Sequence, residues 1–202
     1  NEWRFADDWP VPATEIPFYF HGDGRLSTGL PTEPSSHSTY VYDPTNPVPS
    51  LGGAELSGTK GPYDQRPVES RSDVILFTTP PLPNYVEITG KVLVHLYASS
   101  SALDTDFTGK LCDVYPDGRS MLVCDGIIRA RHRNSTRYEE LLTPGTIYEF
   151  EIDLWEMCIA FNAGHRIRVA ISSSNYDRFD ANPNTGEPFN HHTHTVPATN
   201  TI

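Results

Sequence analysis

The stretch Asp113-Val114-Tyr115-Pro116-Asp117-Gly118-Arg119 joins two strand-like runs, Phe107–Tyr115 and Met121–His132. Asp-Gly is a dipeptide that supplies the positive φ angles of a tight turn, so this stretch predicts a β-hairpin. On its second strand, small or apolar side chains alternate with polar ones. The residues that this alternation places on the solvent side are Arg129, Arg131 and Arg133.

The same alternation recurs along the chain, with prolines and glycines between the runs. Further predicted strands are Phe18–His21, Ser38–Tyr42, Val74–Thr79, Val86–Ile88, Lys91–Ala98, Thr146–Trp155 and Arg166–Ser172. In the run 146–155, the side chains expected to face the core are Tyr148, Phe150, Ile152 and Leu154. Strands with one polar face are typical of antiparallel sheets, because parallel strands are usually apolar on both faces.

These patterns predict an all-β fold: a two-sheet antiparallel β-sandwich of jelly-roll, galactose-binding-like type. We expect one domain over 1–202, with an irregular, proline-rich lead-in over 1–62 and the sandwich core over 63–202. Nine prolines within the first 62 residues exclude a long helix there.

The composition of the chain excludes some classes of partner and indicates its compartment. The chain has 202 residues and a formal net charge of -11, which argues against nucleic acids and anionic membranes as partners. No apolar run approaches the ~18 residues of a membrane span. Three cysteines without a C-x-x-C pair predict buried free thiols in a reducing compartment, hence a cytoplasmic protein.

Catalytic and metal-binding patterns are incomplete. No G-x-S-x-G nucleophile motif occurs, and Ser57-Gly58-Thr59-Lys60 matches S-x-x-K without its companion motifs. Asp104-Thr105-Asp106 resembles the start of an EF-hand loop, but Tyr115 stands where the bidentate glutamate belongs, so Asx-type turns are expected instead. The group His191, His192 and His194 is expected to lie on the surface. No metal and no cofactor is predicted.

Charges of alternating sign run from Asp64 to Asp73. Arginine suits planar, bidentate contacts with carboxylates, so structural pairing is expected rather than chemistry. The residues assigned to structural ion pairs are Asp64, Arg66, Arg71 and Asp73.

Several phrases together resemble the C-terminal domain of the X-Pro dipeptidyl-peptidase and cocaine-esterase-like hydrolase family. Among them are Asp64-Gln65-Arg66-Pro67, Val86-Glu87-Ile88-Thr89-Gly90, Asp104-Thr105-Asp106-Phe107-Thr108, Gly164-His165-Arg166-Ile167-Arg168-Val169 and Asn182-Pro183-Asn184-Thr185-Gly186. They occur in the family's order and span nearly the whole chain.

The resemblance implies a non-catalytic jelly-roll domain of a serine acyl-hydrolase, whose Ser-Asp-His triad lies in a separate α/β-hydrolase domain of the same polypeptide. That domain is the expected partner; homo-oligomer formation is left open. The resemblance also implies that the loop Leu51–Gly61, with Glu55, Leu56 and Ser57, lines the substrate cleft. The chain is expected to be an excised fragment whose last strand is truncated.

Two other functions remain open at this point. Jelly rolls often bind sugars, so a carbohydrate-binding module is the first alternative. It requires exposed aromatic side chains on one face, whereas Tyr148 and Phe150 are expected to face inward. The second is a metal-binding sandwich that uses the histidines at 191–194.

Overall fold

The computed structural model describes residues 5–9, 11–32, 36–55, 58–188 and 190–202. These residues form ten strands, one short helix α1 (Arg66–Glu69) and one turn of 3-10 helix (Ala130–His132). The strands are β1 (Tyr19–Phe20), β2 (Leu26–Ser27), β3 (Thr39–Tyr42), β4 (Ile75–Thr78), β5 (Val86–Ser100), β6 (Asp106–Val114), β7 (Ser120–Arg129), β8 (Tyr148–Phe161), β9 (Arg166–Ser172) and β10 (Ala198–Thr201).

Eight of these strands form two four-stranded sheets. The front sheet has the order β3-β10-β5-β8 and the back sheet the order β4-β9-β6-β7. All pairings within them are antiparallel. The predicted two-sheet antiparallel sandwich is therefore confirmed, and the hairpin turn at Asp117-Gly118 joins β6 to β7 as expected.

The apolar core lies between the two sheets. Phe150, Ile152 and Leu154 of β8 are buried, as their alternation predicts. They meet the inward face of β6, where the rings of Phe107 and Phe150 lie 4.7 Å apart. Burial of each such side chain contributes about 1.5–3 kcal/mol, so this seam is a major source of stability.

A β-bulge interrupts β8. The register passes from Leu93 opposite Asp153 to Lys91 opposite Glu156, so Leu154 and Trp155 together face the single residue Val92. The extra residue changes the phase of the alternation: before the bulge the even-numbered side chains are buried, and after it the odd-numbered ones. Trp155 has a φ of 72° and is 66% exposed.

The segment 1–62 takes part in the sandwich. β3 is hydrogen-bonded along β10, and Tyr40 and Tyr42 of β3 are buried. The predicted runs Val86–Ile88 and Lys91–Ala98 form one strand, β5, which continues through Gly90. The last strand of the chain, β10, lies between β3 and β5.

A third layer covers the outer face of the back sheet. Residues 44–55 and 58–74 form this layer and are called the strap. Val48, Val68 and Val74 of the strap pack on Ala170 of β9 in a small second core. The strap is bonded to the sheet where Gln65 N donates to Ser120 O at 2.7 Å.

Two sequence expectations about side-chain exposure are wrong. β7 ends at Arg129, and the 3-10 turn that follows rotates Arg131 inward, where only 4% of it is exposed. Cys112 and Cys124 are buried free thiols as expected, but Cys158 is exposed because the bulge in β8 turns the even-numbered positions outward.

Gly126 of β7 provides a test of how closely the sheets approach. A Cβ atom there would lie 2.0 Å from the carbonyl oxygen of Asp153 in β8. Gly126→Ala is therefore expected to lower the free energy of unfolding by at least about 1–3 kcal/mol, the usual cost of overpacking. Urea denaturation measures the change.

The matched control is Gly29→Ala, where a Cβ atom would lie 3.7 Å from the Ser27 hydroxyl, an ordinary contact. Its effect should stay within about 0.5 kcal/mol, as for most surface substitutions. Equal midpoints for the two variants would contradict the close approach of β7 and β8.

Candidate functional site

The described residues contain pieces of catalytic machinery but no complete set. His165 Nδ1 lies 2.8 Å from Asp113 Oδ1 and its ring packs on Tyr115. No hydroxyl or thiol in the described ranges is hydrogen-bonded to that imidazole. Ser120 cannot complete the set, because its hydroxyl donates to Glu69 Oε1 at 2.6 Å.

Two hydroxyl–imidazole contacts do occur. Ser27 Oγ lies 2.8 Å from His21 Nε2, and Thr193 Oγ1 lies 3.1 Å from His194 Nδ1. Within the described part of the chain, no carboxylate contacts the second ring nitrogen of either histidine. Both pairs therefore lack the group that orients the base in a catalytic triad.

His191, His192 and His194 are exposed, as the sequence predicts. Among the described residues, no group of three or more His, Cys, Asp or Glu side chains is placed to hold a metal ion. His194 instead lies 3.6 Å from the carboxylate of Glu187, at the exposed end of the segment.

The charged row of the strap is brought together in pairs. Arg66 donates through Nε and Nη2 to Asp64 Oδ2, at 2.8 and 2.5 Å. These hydrogen bonds are the main cause that lowers the pKa of Asp64 to about 2. Arg71 forms a two-pronged pair with Asp73, both contacts being 2.8 Å, and also donates to the carbonyl of Asn46 at 2.6 Å. The latter bond ties the end of the strap to its beginning.

Glu69, the remaining acidic member of the row, belongs to a deeper group. Its carboxylate accepts from Arg168 Nη1 at 2.6 Å as well as from Ser120. Nearby Lys110 Nζ donates to Gln65 Oε1 at 3.2 Å, and burial is the largest cause that lowers the pKa of Lys110. This group could not be recognised from the sequence, because the residues of each hydrogen-bonded pair lie 45 to 99 positions apart.

Asp104 and Asp106 are fully buried, and both belong to a larger network than the Asx turns that were expected. Asp104 pairs with Arg131 at 2.7 Å and Asp106 with Arg129 at 2.9 Å. Asn182 Nδ2 donates to both carboxylates at 2.8 Å. Burial raises the pKa of Asp106, and the Arg129 contacts oppose that rise.

The expected cleft loop, Leu51–Gly61, has a closed base. Gly53 and Gly61 exchange two backbone hydrogen bonds of 2.8 and 3.0 Å. Glu55 lies beyond that base, with one carboxylate oxygen buried and without a hydrogen-bond partner among the described residues. Leu56 and Ser57, also assigned to the cleft lining, lie outside the described residues.

Two half-exposed tyrosines flank the loop. The outgoing stem (49–53) leads into the loop and the returning stem (61–65) leads out of it. Tyr63 lies in the returning stem, and Tyr176 pairs with Pro49 at the start of the outgoing stem. Beneath the loop, Arg178 forms an ion pair with Asp125 of β7, and Asn175 donates to the same carboxylate at 2.7 Å. The loop therefore stands on a polar support at the edge of the back sheet.

Fold and site together define a class of protein. Several charged side chains of this two-sheet sandwich form buried ion pairs, and the part of the chain that is described holds no catalytic constellation. The architecture places the chain in the class of all-β, two-sheet sandwich domains. The chain belongs to the family of X-Pro dipeptidyl-peptidase C-terminal non-catalytic domains, whose model matches residues 1–202. The resemblance predicted from the sequence is confirmed.

Individual relatives agree with this assignment. The chain is 49% identical over 197 residues to the cocaine esterase of Rhodococcus sp. (strain MB1 Bresler), which covers 92% of this chain and 34% of that protein. An aminopeptidase from the marine sediment archaeon Thaumarchaeota archaeon superposes with a TM-score of 0.92 at 32% identity, over 100% of this chain and 36% of that one.

An α-amino acid ester hydrolase superposes with a TM-score of 0.86 at 33% identity, over 94% of this chain and 34% of that one. The chain thus spans about a third of the length of these relatives. In the described ranges, no helix is long and apolar enough to cross a membrane.

The buried pair of Asp104 and Arg131 yields a stability prediction. Arg131→Met leaves the Asp104 charge without its main partner, and breaking a buried pair from one side costs about 3–5 kcal/mol. Urea denaturation should register that loss. The comparison is Arg119→Met, whose partner Asp117 is half exposed, with an expected cost below about 1 kcal/mol. Similar losses in both variants would refute a special role for the buried pair.

The pair of Asp64 and Arg66 yields a pH prediction. The pKa of Asp64 is lowered from 3.8 to about 2 in the folded protein. The pair therefore stabilises the fold above the unfolded pKa, and this contribution is lost as the pH falls through about 2. The difference in unfolding free energy between the wild type and Asp64→Asn should be largest above about pH 4 and shrink towards about pH 2.

Urea denaturation at a series of pH values measures this difference. Arg66→Met removes the main cause of the low pKa and should flatten the same part of the wild-type profile. Parallel profiles for the wild type and Asp64→Asn would show that Asp64 is not a stabilising ion pair.

Proposed function

We propose that this chain is the C-terminal accessory domain of a serine acyl-hydrolase that cleaves an ester or an amide. It packs on a catalytic domain of the same polypeptide and shapes one wall of its substrate cleft with the loop Leu51–Gly61. The observation that carries the proposal is the match of the whole chain to a non-catalytic domain family, together with its coverage of only about a third of each relative.

The relatives support the reaction class. They are a cocaine esterase, an aminopeptidase and an α-amino acid ester hydrolase, by name enzymes that act on esters or peptides. In the proposed parent, a serine of the catalytic domain attacks the carbonyl group and water then hydrolyses the acyl-enzyme. This chain provides no reacting group.

The surface of the chain supports packing on another domain. Phe5, Trp9 and Ile16, near the beginning of the chain, are all about half exposed or more, and Phe5 is 98% exposed. Tyr63 and Tyr176 are half exposed beside the cleft loop. Contiguous exposed apolar patches mark sites that another protein surface covers, and these side chains are the candidates for such a patch. The buried free thiols of Cys112 and Cys124 support a cytoplasmic location.

A second candidate, a carbohydrate-binding module, is favoured by two aromatic side chains of the front sheet. Tyr97 and Trp155 are largely exposed there, and exposed aromatic rings are what such modules use to stack sugars. A cleft of about 280 Å³, lined by Tyr176, Asp180 and His192 among others, adds a place where hydroxyl groups could be bound.

The proposal is tested with two polypeptides, this chain and the remainder of its longer parent, each expressed separately. They should associate, measured by isothermal titration calorimetry. A serine-directed phosphonate should label the parent and leave this chain unlabelled. A labelled serine in this chain, or no association, would overturn the proposal. A glycan array probed with this chain should stay blank, whereas binding would favour the second candidate.

A further inference from the structure

The two stems of the cleft loop are attached to the back sheet in different ways. The returning stem runs beside the edge strand β7, where Leu122 N donates to Tyr63 O at 3.1 Å and Gln65 N donates to Ser120 O. These are backbone bonds of the kind that extend a sheet. The position of the returning stem is therefore set by the sheet itself.

The outgoing stem depends on side chains and on the segment 175–178. The Ser50 hydroxyl donates to the carbonyl oxygen of Asn175 at 2.8 Å and accepts from the backbone N–H of Arg178 at 3.3 Å. Ser50 N donates to the carbonyl of Tyr176. The outgoing stem is also tied to the returning stem, by the Gly53–Gly61 bonds and by Gln65 Nε2, which donates to Leu51 O at 2.7 Å. Its position relative to β7 therefore depends on these bonds and on what fixes the segment 175–178.

The ion pair of Arg178 and Asp125 fixes that segment to β7, together with the hydrogen bond from Asn175 to Asp125. Asp125 belongs to β7, and Arg178 belongs to the segment that holds the outgoing stem. The Arg178 guanidinium donates to Asp125 Oδ1, and both side chains are largely buried. Because the pair spans from the strand to the loop segment, it sets the distance between them.

Gly53 lies directly on this pair. A Cβ atom at Gly53 would be 3.2 Å from Arg178 Nη1 and 3.6 Å from Asp125 Oδ1. The φ of Gly53 is 96°, a conformation that other residues rarely adopt. The backbone of Gly53 thus rests on the paired charges at the point where the loop closes against Gly61.

We propose that Arg178 is a positioning residue for the cleft loop. By pairing with Asp125 beneath Gly53, it holds the described parts of the loop, 51–55 and 58–61, in the place from which the loop contacts the acyl part of the substrate. This inference rests on the proposed function, in which that loop forms a wall of the cleft. Arg178 itself touches no reacting atom.

The first experiment measures loop anchoring in this chain alone. Lys60 lies exposed in the loop, and Arg137 lies exposed on a different loop. Arg178→Met should raise the rate of tryptic cleavage after Lys60 at least about tenfold, because the broken pair lets the loop open, while cleavage after Arg137 stays unchanged. Arg178→Lys keeps the charge but loses the planar fork, so its increase should be smaller. Arg119→Met, at an exposed pair, is the matched control.

The second experiment measures steady-state kinetics of the longer parent enzyme with an ester substrate. Loss of a contact that holds substrate and transition state equally raises KM and leaves kcat nearly unchanged, so Arg178→Met should raise KM about tenfold with kcat within about twofold. A merely structural role predicts a lower melting temperature with no such split. Gly53→Ala retains both charged residues but strains the loop and crowds the pair, so it should show the same pattern.

Unchanged cleavage after Lys60 in Arg178→Met would overturn the role of the ion pair in anchoring the loop. Faster cleavage with unchanged KM would overturn the positioning role, and with it the cleft-wall part of the proposed function. Packing on the catalytic domain is judged separately, by the association of the two polypeptides.

Discussion

Lys110, Asp125 and Arg168 lie on the outer face of the back sheet, and the strap removes them from most of the solvent. Desolvation of a charge costs several kcal/mol unless a partner and hydrogen bonds offset it. Each of the three has such a partner, namely Gln65, Arg178 and Glu69 respectively. Two of these partners, Gln65 and Glu69, are residues of the strap, so the position of the strap is fixed by the need to satisfy these charges.

This constraint explains how a segment with little regular structure can form a stable layer. The strap has only one short helix and a few apolar residues, so its apolar contact with the sheet is small. Polar pairs with fixed geometry replace what a helix or a strand would obtain from backbone bonds. The arrangement is specific because a shift of the strap by one residue would separate every pair. The cleft loop is part of the same segment, so the pairs that fix the strap also fix the position of the loop.

The sequence predicts the sandwich well because alternation records which face of a strand is covered by the other sheet. It predicts the strap poorly, because alternation cannot distinguish a polar sheet face that the strap covers from one that is exposed to solvent. All nine residues of β6 are buried, and the charged side chains of Lys110 and Asp113 are among them. The prediction that Arg131 is exposed is wrong because β7 ends two residues earlier, at Arg129. In each case, the partner that buries the charge lies far away in sequence.

The edge formed by β7 and β8 shows how two local departures from regular geometry depend on each other. Gly126 lacks a side chain where the backbone of Asp153 approaches, which brings the edges of the two sheets together. At that spacing, β8 must keep Leu154 in the core and also bury Met157 and Ile159 beyond it, which a strict alternation cannot do. The bulge adds the one residue needed, and Trp155 is the side chain that leaves the core as a result. A glycine in an alternating run is a signal that sequence analysis can detect, whereas the bulge opposite it follows only from the approach of the two strands.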